Sequence, residues 1–102
     1  RLFERELRRR IEMEHRIEGL LTRPVESRVA EFLCELAARH GVPEPRGTLI
    51  GVKLTHQEIA SYVGSTRETV TLILGDLKRR GFLQTDHRRL VVLSLEGLQS
   101  LV

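Results

Sequence analysis

Arg67 and Glu68 stand side by side in the stretch Gly64–Gly81, GSTRETVTLILGDLKRRG, and Leu72 follows one helical turn after Glu68. An arginine guanidinium is a fork of N–H donors that fits O6 and N7 of guanine, and a carboxylate accepts from N4 of cytosine. Thr55, His56, Thr66 and Thr69 place hydroxyls and a ring near two sites where a helix can begin, and Arg88 adds a cation further on. Such groups, together with the unpaired N–H groups of a helix start, attract phosphate. Each also has an ordinary use. A surface Thr or Arg is usually only solvated, and Glu68 can serve as the acid of a helix cap.

No other chemistry assembles. His15, His40, His56 and His87 are scattered, and no His/Cys/acid cluster has metal-ligand spacing. No glycine-rich phosphate loop follows a strand, and no nucleophile–base set is visible. An enzyme is not expected, and neither is a metal or a cofactor held within these residues. The single cysteine, Cys34, excludes an internal disulfide and reads as core within VAEFLCELA. A cytoplasmic setting is the default for such a chain. No apolar run approaches the roughly 20 residues that span a bilayer, so no membrane partner is expected. No secretory signal is visible.

The elements that must position these groups follow from period and punctuation. The 102 residues fit one small domain with a long helix to spare. With no Trp and few aromatics, the core must be built from Leu, Val and Ile. The net charge of +3 alone selects no partner, but Lys78–Arg80 and Arg88–Arg89 concentrate positive charge. Residues Arg1–Leu21 read as a charged, helix-favouring segment whose apolar stripe, Phe3, Leu7 and Ile11, then rotates to Met13, Ile17 and Leu20. A moving stripe suits either two successive partners, the first being another chain, or one amphipathic helix packed within the domain. Thr22–Pro24 breaks that helix. Val25–His40 is a second helix, burying Val25, Val29, Phe32, Leu33 and Leu36 and ended by Gly41. Val42–Gly47 (VPEPRG) reads as a proline loop and Leu49–Leu54 as a short strand.

Two hydroxyl-x-x-Glu signals come next, Thr55–Glu58 and Ser65–Glu68. Each predicts a capping box, in which the hydroxyl accepts from the third backbone N–H and the Glu reaches back. One helix should run to Val63 and the other to Arg80, with Gly64 as the turn between them. Phe82–Gln84 and Leu90–Leu93 read as a hairpin with a basic tip at Thr85–Arg89. Ser94 can cap a last short helix carrying Leu95, Leu98 and Leu101. The expected fold is mainly α with a small antiparallel β component: a winged helix-turn-helix over residues 25–102, preceded by a long helix. Ile59, Val63, Val70 and Ile73 are apolar where the paired helices meet, and Ala60 is small enough for close approach. With Val70, Ile73, Leu74 and Leu77 turned inward, Arg67, Glu68, Thr71 and Leu72 point outward. In this architecture that face of the second helix enters the major groove.

The stretch LTHQEIASYVGSTRETVTLILGDLKRRGFLQTDHRRLVVL resembles the DNA-binding domain of the cyclic-AMP receptor protein / fumarate–nitrate regulator family of bacterial transcription factors. The match is tightest at Gln57–Ala60 and Gly64–Val70. The resemblance implies a homodimeric, sequence-specific regulator of palindromic double-stranded DNA. It makes Arg1–Leu21 the end of a dimerisation helix, with Phe3, Leu7 and Ile11 at the seam, and Thr22–Pro24 a hinge. It further implies an upstream effector-binding domain, in keeping with a chain that does not begin with Met, and any effector belongs there. Base-reading positions of the family fall on Arg67, Glu68 and Leu72, the last standing where many members carry Arg. The loop Val42–Gly47 matches a region that touches RNA polymerase in some members. The rival reading is a winged helix that binds protein rather than DNA. It needs an apolar or acidic outer face, against which Arg67, Thr71 and the basic wing argue.

Overall fold

The computed structural model describes residues 23–102. The expected dimerisation stripe, Phe3, Leu7 and Ile11, lies outside the described residues. Helix α1 spans Val25–His40 and follows Pro24, whose backbone is extended. Val29, Phe32, Leu33 and Leu36 are buried as their spacing predicts, and Val25 is half-buried. Glu26 in the first turn and Arg39 and His40 in the last complement the helix dipole.

The proline stretch after α1 is not a loop. Gly41–Glu44 forms β1 and Gly47–Ile50 forms β2, paired antiparallel from Gly41↔Ile50 to Glu44↔Gly47. Proline lacks a ladder donor, and Pro43 is tolerated because β1 is an edge strand. Pro45 occupies the turn, which it favours. The strand expected over Leu49–Leu54 accordingly ends at Ile50.

Helix α2 spans His56–Val63. Its start is the predicted capping box. Glu58 N–H donates to Thr55 Oγ1 at 3.0 Å, and Thr55 N–H donates to Glu58 Oε1 at 2.9 Å. Gly64 closes it in the left-handed conformation, with φ 73° and ψ 43°. Helix α3 spans Arg67–Arg79, and its cap differs from expectation. Thr66, not Ser65, is the cap residue, and its Oγ1 accepts from Thr69 N–H at 3.2 Å. Gly64 and Ser65 are both consumed by the turn, with Ser65 N–H donating to Ala60 O at 3.0 Å. The helix therefore starts one residue later than the hydroxyl-x-x-Glu pattern suggests, and Glu68 is not the acid of a capping box. Thr66→Ala should then cost about 1 kcal/mol of stability. Ser65→Ala should change it by less than about 0.5 kcal/mol. Urea titration of the two variants decides which residue is the cap.

The wing is β3 (Leu83–Asp86) and β4 (Arg89–Val92), which reach two residues and one residue further toward the tip than the sequence suggests. Pairs Thr85↔Leu90 and Asp86↔Arg89 continue the ladder to a two-residue turn, His87-Arg88. Both turn residues have positive φ, 49° and 67°, the conformation that matches the twist of a tight hairpin. β2 also pairs with β4, through Thr48↔Val92 and Leu49↔Val91, giving one antiparallel sheet of order β1-β2-β4-β3. Arg46 at the β1–β2 turn bridges Glu44 at 2.8 Å and Asp86 on the wing at 2.7 Å. The short helix α4, Leu95–Gln99, is capped by Ser94. It buries Leu98, whereas Leu95 is exposed.

One apolar cluster holds these layers together: Val29, Leu33 and Leu36 of α1, Ile59 and Val63 of α2, Val70, Leu74 and Leu77 of α3, and Leu83 and Val92 of the wing. Phe32 and Tyr62 stack with ring centroids 5.2 Å apart. Ile73, expected inside, is only half-buried at the edge of this cluster. Arg28 is buried in α1 and donates from Nε to Val63 O at 3.0 Å. A cation is thus held against the carbonyl end of α2, where the helix dipole is negative.

Candidate nucleic-acid interface

The hydrophobic period of α3 decides what its first two turns can present. Val70, Leu74 and Leu77 are fully buried, so the helix is held along one side. Arg67, Glu68, Thr71 and Leu72 all fall on exposed positions. Leu72 is 74% exposed, so no described residue shields it. Glu68 lies in the first turn, where its negative charge is favoured by the helix dipole.

Thr71 has a partner within the fold. Its Oγ1 lies 2.7 Å from Nδ1 of His56, the first residue of α2. The imidazole pKa is lowered, chiefly by burial and further by the positive charges of Lys78 and Arg67. The ring is therefore held neutral to lower pH than an ordinary histidine.

His56 opens onto a groove of about 460 Å³ between the helix pair and the wing. Its polar lining is Lys53, Thr55, His56, Lys78, Thr85 and Arg88, over a floor that includes Ile59 and Leu74. Three of the residues singled out as phosphate partners, Thr55, His56 and Arg88, are thus brought to one place. Thr66 and Thr69 lie outside it, at the other end of the α2–α3 turn. There the Thr66 hydroxyl donates to Thr69 Oγ1 at 3.0 Å. The groove's positive character comes equally from Lys53 and Lys78. Lys78 is legible in the sequence as part of a basic run, and Lys53 is not part of one. Its signal was a lysine two residues before a helix cap. Asp86 beside the wing tip is already engaged by Arg46, whose hydrogen bond lowers its carboxyl pKa. Among the described residues, no group of three or more His, Cys, Asp or Glu side chains could hold a metal ion. None of their helices is long and apolar enough to cross a membrane.

A capped helix pair with a tight left-handed glycine turn, followed by a twisted hairpin beside its second helix, defines a winged helix-turn-helix. Residues 27–101 match the Crp-like helix-turn-helix domain, and the chain belongs to that family. It is 39% identical over 90 residues to the transcriptional regulator SdrP of Thermus thermophilus, covering 88% of this chain and 44% of that one. It is 42% identical over 82 residues to the global nitrogen regulator of Synechococcus elongatus, covering 80% and 37% respectively. Among solved structures, a CRP/FNR-family transcriptional regulator from Thermus thermophilus superposes with a TM-score of 0.72 at 37% identity, over 88% of this chain and 46% of that one. The CO-dependent transcription factor CooA from Carboxydothermus hydrogenoformans gives 0.73 at 35% identity, over 83% and 39%. The chain spans less than half the length of these relatives.

Proposed function

We propose that this chain is the DNA-binding part of a homodimeric transcriptional regulator, with α3 in the major groove and the wing on the backbone. The observation that carries this is the outer face of α3. Arg67, Glu68, Thr71 and Leu72 project from its first two turns, flanked by a cationic groove that continues onto the wing. Arg67 donates to guanine and Glu68 accepts from cytosine, while Leu72 packs on a thymine methyl group, the apolar feature of the major groove. Thr55, His56, Thr66, Thr69 and Arg88 bind phosphates and set the register. A protein-binding role for this face is disfavoured by the same charge pattern. RNA polymerase, if it is a partner through Val42–Gly47, meets a β-hairpin with Val42 and Pro43 exposed.

Pairing through Phe3, Leu7 and Ile11 makes the operator an inverted repeat, with half-site centres roughly 10–11 base pairs apart. Sites selected from random duplexes should show that symmetry. Their affinity should fall steeply with salt as phosphate contacts release counterions. Inserting five base pairs between the half-sites turns one of them to the far side of the duplex and should abolish tight binding. Unchanged affinity after insertion would sink the dimeric reading, and salt-independent affinity the DNA-binding one.

A further inference from the structure

We propose that His56 decides which hydrogen-bonding partner the Thr71 hydroxyl offers to a DNA base: an acceptor when the ring is neutral, a donor when it is charged. The inference rests on the DNA-binding reading above and adds to it a specificity-setting residue that touches no base itself.

A threonine hydroxyl has a single hydrogen. At 2.7 Å from His56 Nδ1 the direction of that hydrogen is committed by the ring. We place the proton of the neutral imidazole on Nε2, the tautomer in which Nδ1 accepts the hydroxyl hydrogen. The Thr71 oxygen is then left with lone pairs, which suit the amino groups of adenine or cytosine. A charged imidazole donates from Nδ1, and the hydroxyl hydrogen is released toward guanine O6 or N7, thymine O4, or adenine N7. Thr71 is exposed on the face of α3 that carries Arg67 and Leu72, so its free side is available to a base edge.

The surroundings hold the ring neutral until an anion arrives. The charged groups facing His56 are Arg67 and Lys78 of α3, Lys53 ahead of α2 and Arg88 at the wing tip. The nearby acid on its own helix, Glu58, is committed to the Thr55 N–H. In the free protein partial burial, and then the charges of Lys78 and Arg67, disfavour a charged ring. A DNA phosphate entering the groove supplies the opposite charge beside the ring. Bound DNA therefore pushes the imidazole pKa back up, toward the range where an unperturbed histidine titrates.

The test is binding-site selection from random duplexes at about pH 5.5 and about pH 8, bracketing that range. One base pair per half-site should lose cytosine, whose major-groove edge only donates, and gain guanine or thymine, whose edges only accept, on going from high to low pH, while the Arg67-dependent guanine stays. His56→Arg, which only donates, should fix the low-pH preference at both values. Thr71→Val should erase the shift and keep the remaining positions. Identical wild-type profiles at the two pH values would overturn the proposal, as would a shift that survives Thr71→Val. Either of those results leaves the DNA-binding reading standing. Failure to enrich any sequence at either pH overturns both.

Discussion

Gly47→Ala should destabilise the protein by about 2–5 kcal/mol, combining backbone strain with overpacking. Gly47 has φ 150°, and a Cβ there would stand 2.2 Å from the Val92 carbonyl oxygen. That oxygen belongs to the backbone of β4, so relief requires β2 and β4 to part. A loss of this size is a large fraction of a small domain's stability. Gly75→Ala in the middle of α3 is the natural control. A Cβ there meets nothing within 4 Å, and the change should stabilise by roughly 0.5–1 kcal/mol through helix propensity. Denaturant unfolding of both variants gives the comparison. A neutral Gly47→Ala would mean that β2 and β4 are not held in the register described.

Arg67→Ala should cost about 1–3 kcal/mol of specific binding and relax preference at one guanine, because a bidentate fork is lost from a base edge. Arg88→Ala, at the wing tip, should weaken selected and random duplexes alike, because phosphates are the same in every sequence. The informative quantity is the ratio of the two affinities in each variant, measured at one salt concentration. An Arg67→Ala protein that loses equal affinity for both duplexes has no base reader at that position. The same selection speaks to Leu72. Leu72→Arg should add a guanine preference at a second base pair and leave the Arg67 position unchanged, whereas unchanged site profiles would remove Leu72 from the interface.

The helices were legible because their signals are local. The 3.6-residue period of Val70, Leu74 and Leu77 is written in adjacent turns, and the Thr55–Glu58 box needs only four residues. The cap of α3 was misplaced because Ser65 and Thr66 are both good cap residues. Only the geometry of the turn after Gly64 chooses between them. The β1–β2 hairpin was missed for the opposite reason. Its prolines argue against a strand unless it is known to be an edge, and that follows from pairing with residues some 40 positions away. Of the interface, the exposed face of α3 was readable from periodicity, since burying one side fixes the other. The His56–Thr71 bond and the place of Lys53 in the groove were not. Each joins residues on different elements, and no pattern along the chain records it.

The continuity of β1, β2, β4 and β3 also bears on the thermodynamics of association. A two-stranded ribbon standing alone is marginally stable in water, and its tip would have to be ordered at the moment of contact. Here the Arg46–Asp86 bridge and the β2–β4 ladder tether the ribbon to a hairpin that leads directly out of α1. The ordering entropy is met during folding, before any ligand arrives. The wing backbone that carries Arg88 is thus ordered beforehand, and on the proposed interface shortening or loosening the proline hairpin would weaken binding from a distance without removing a single contact to the ligand.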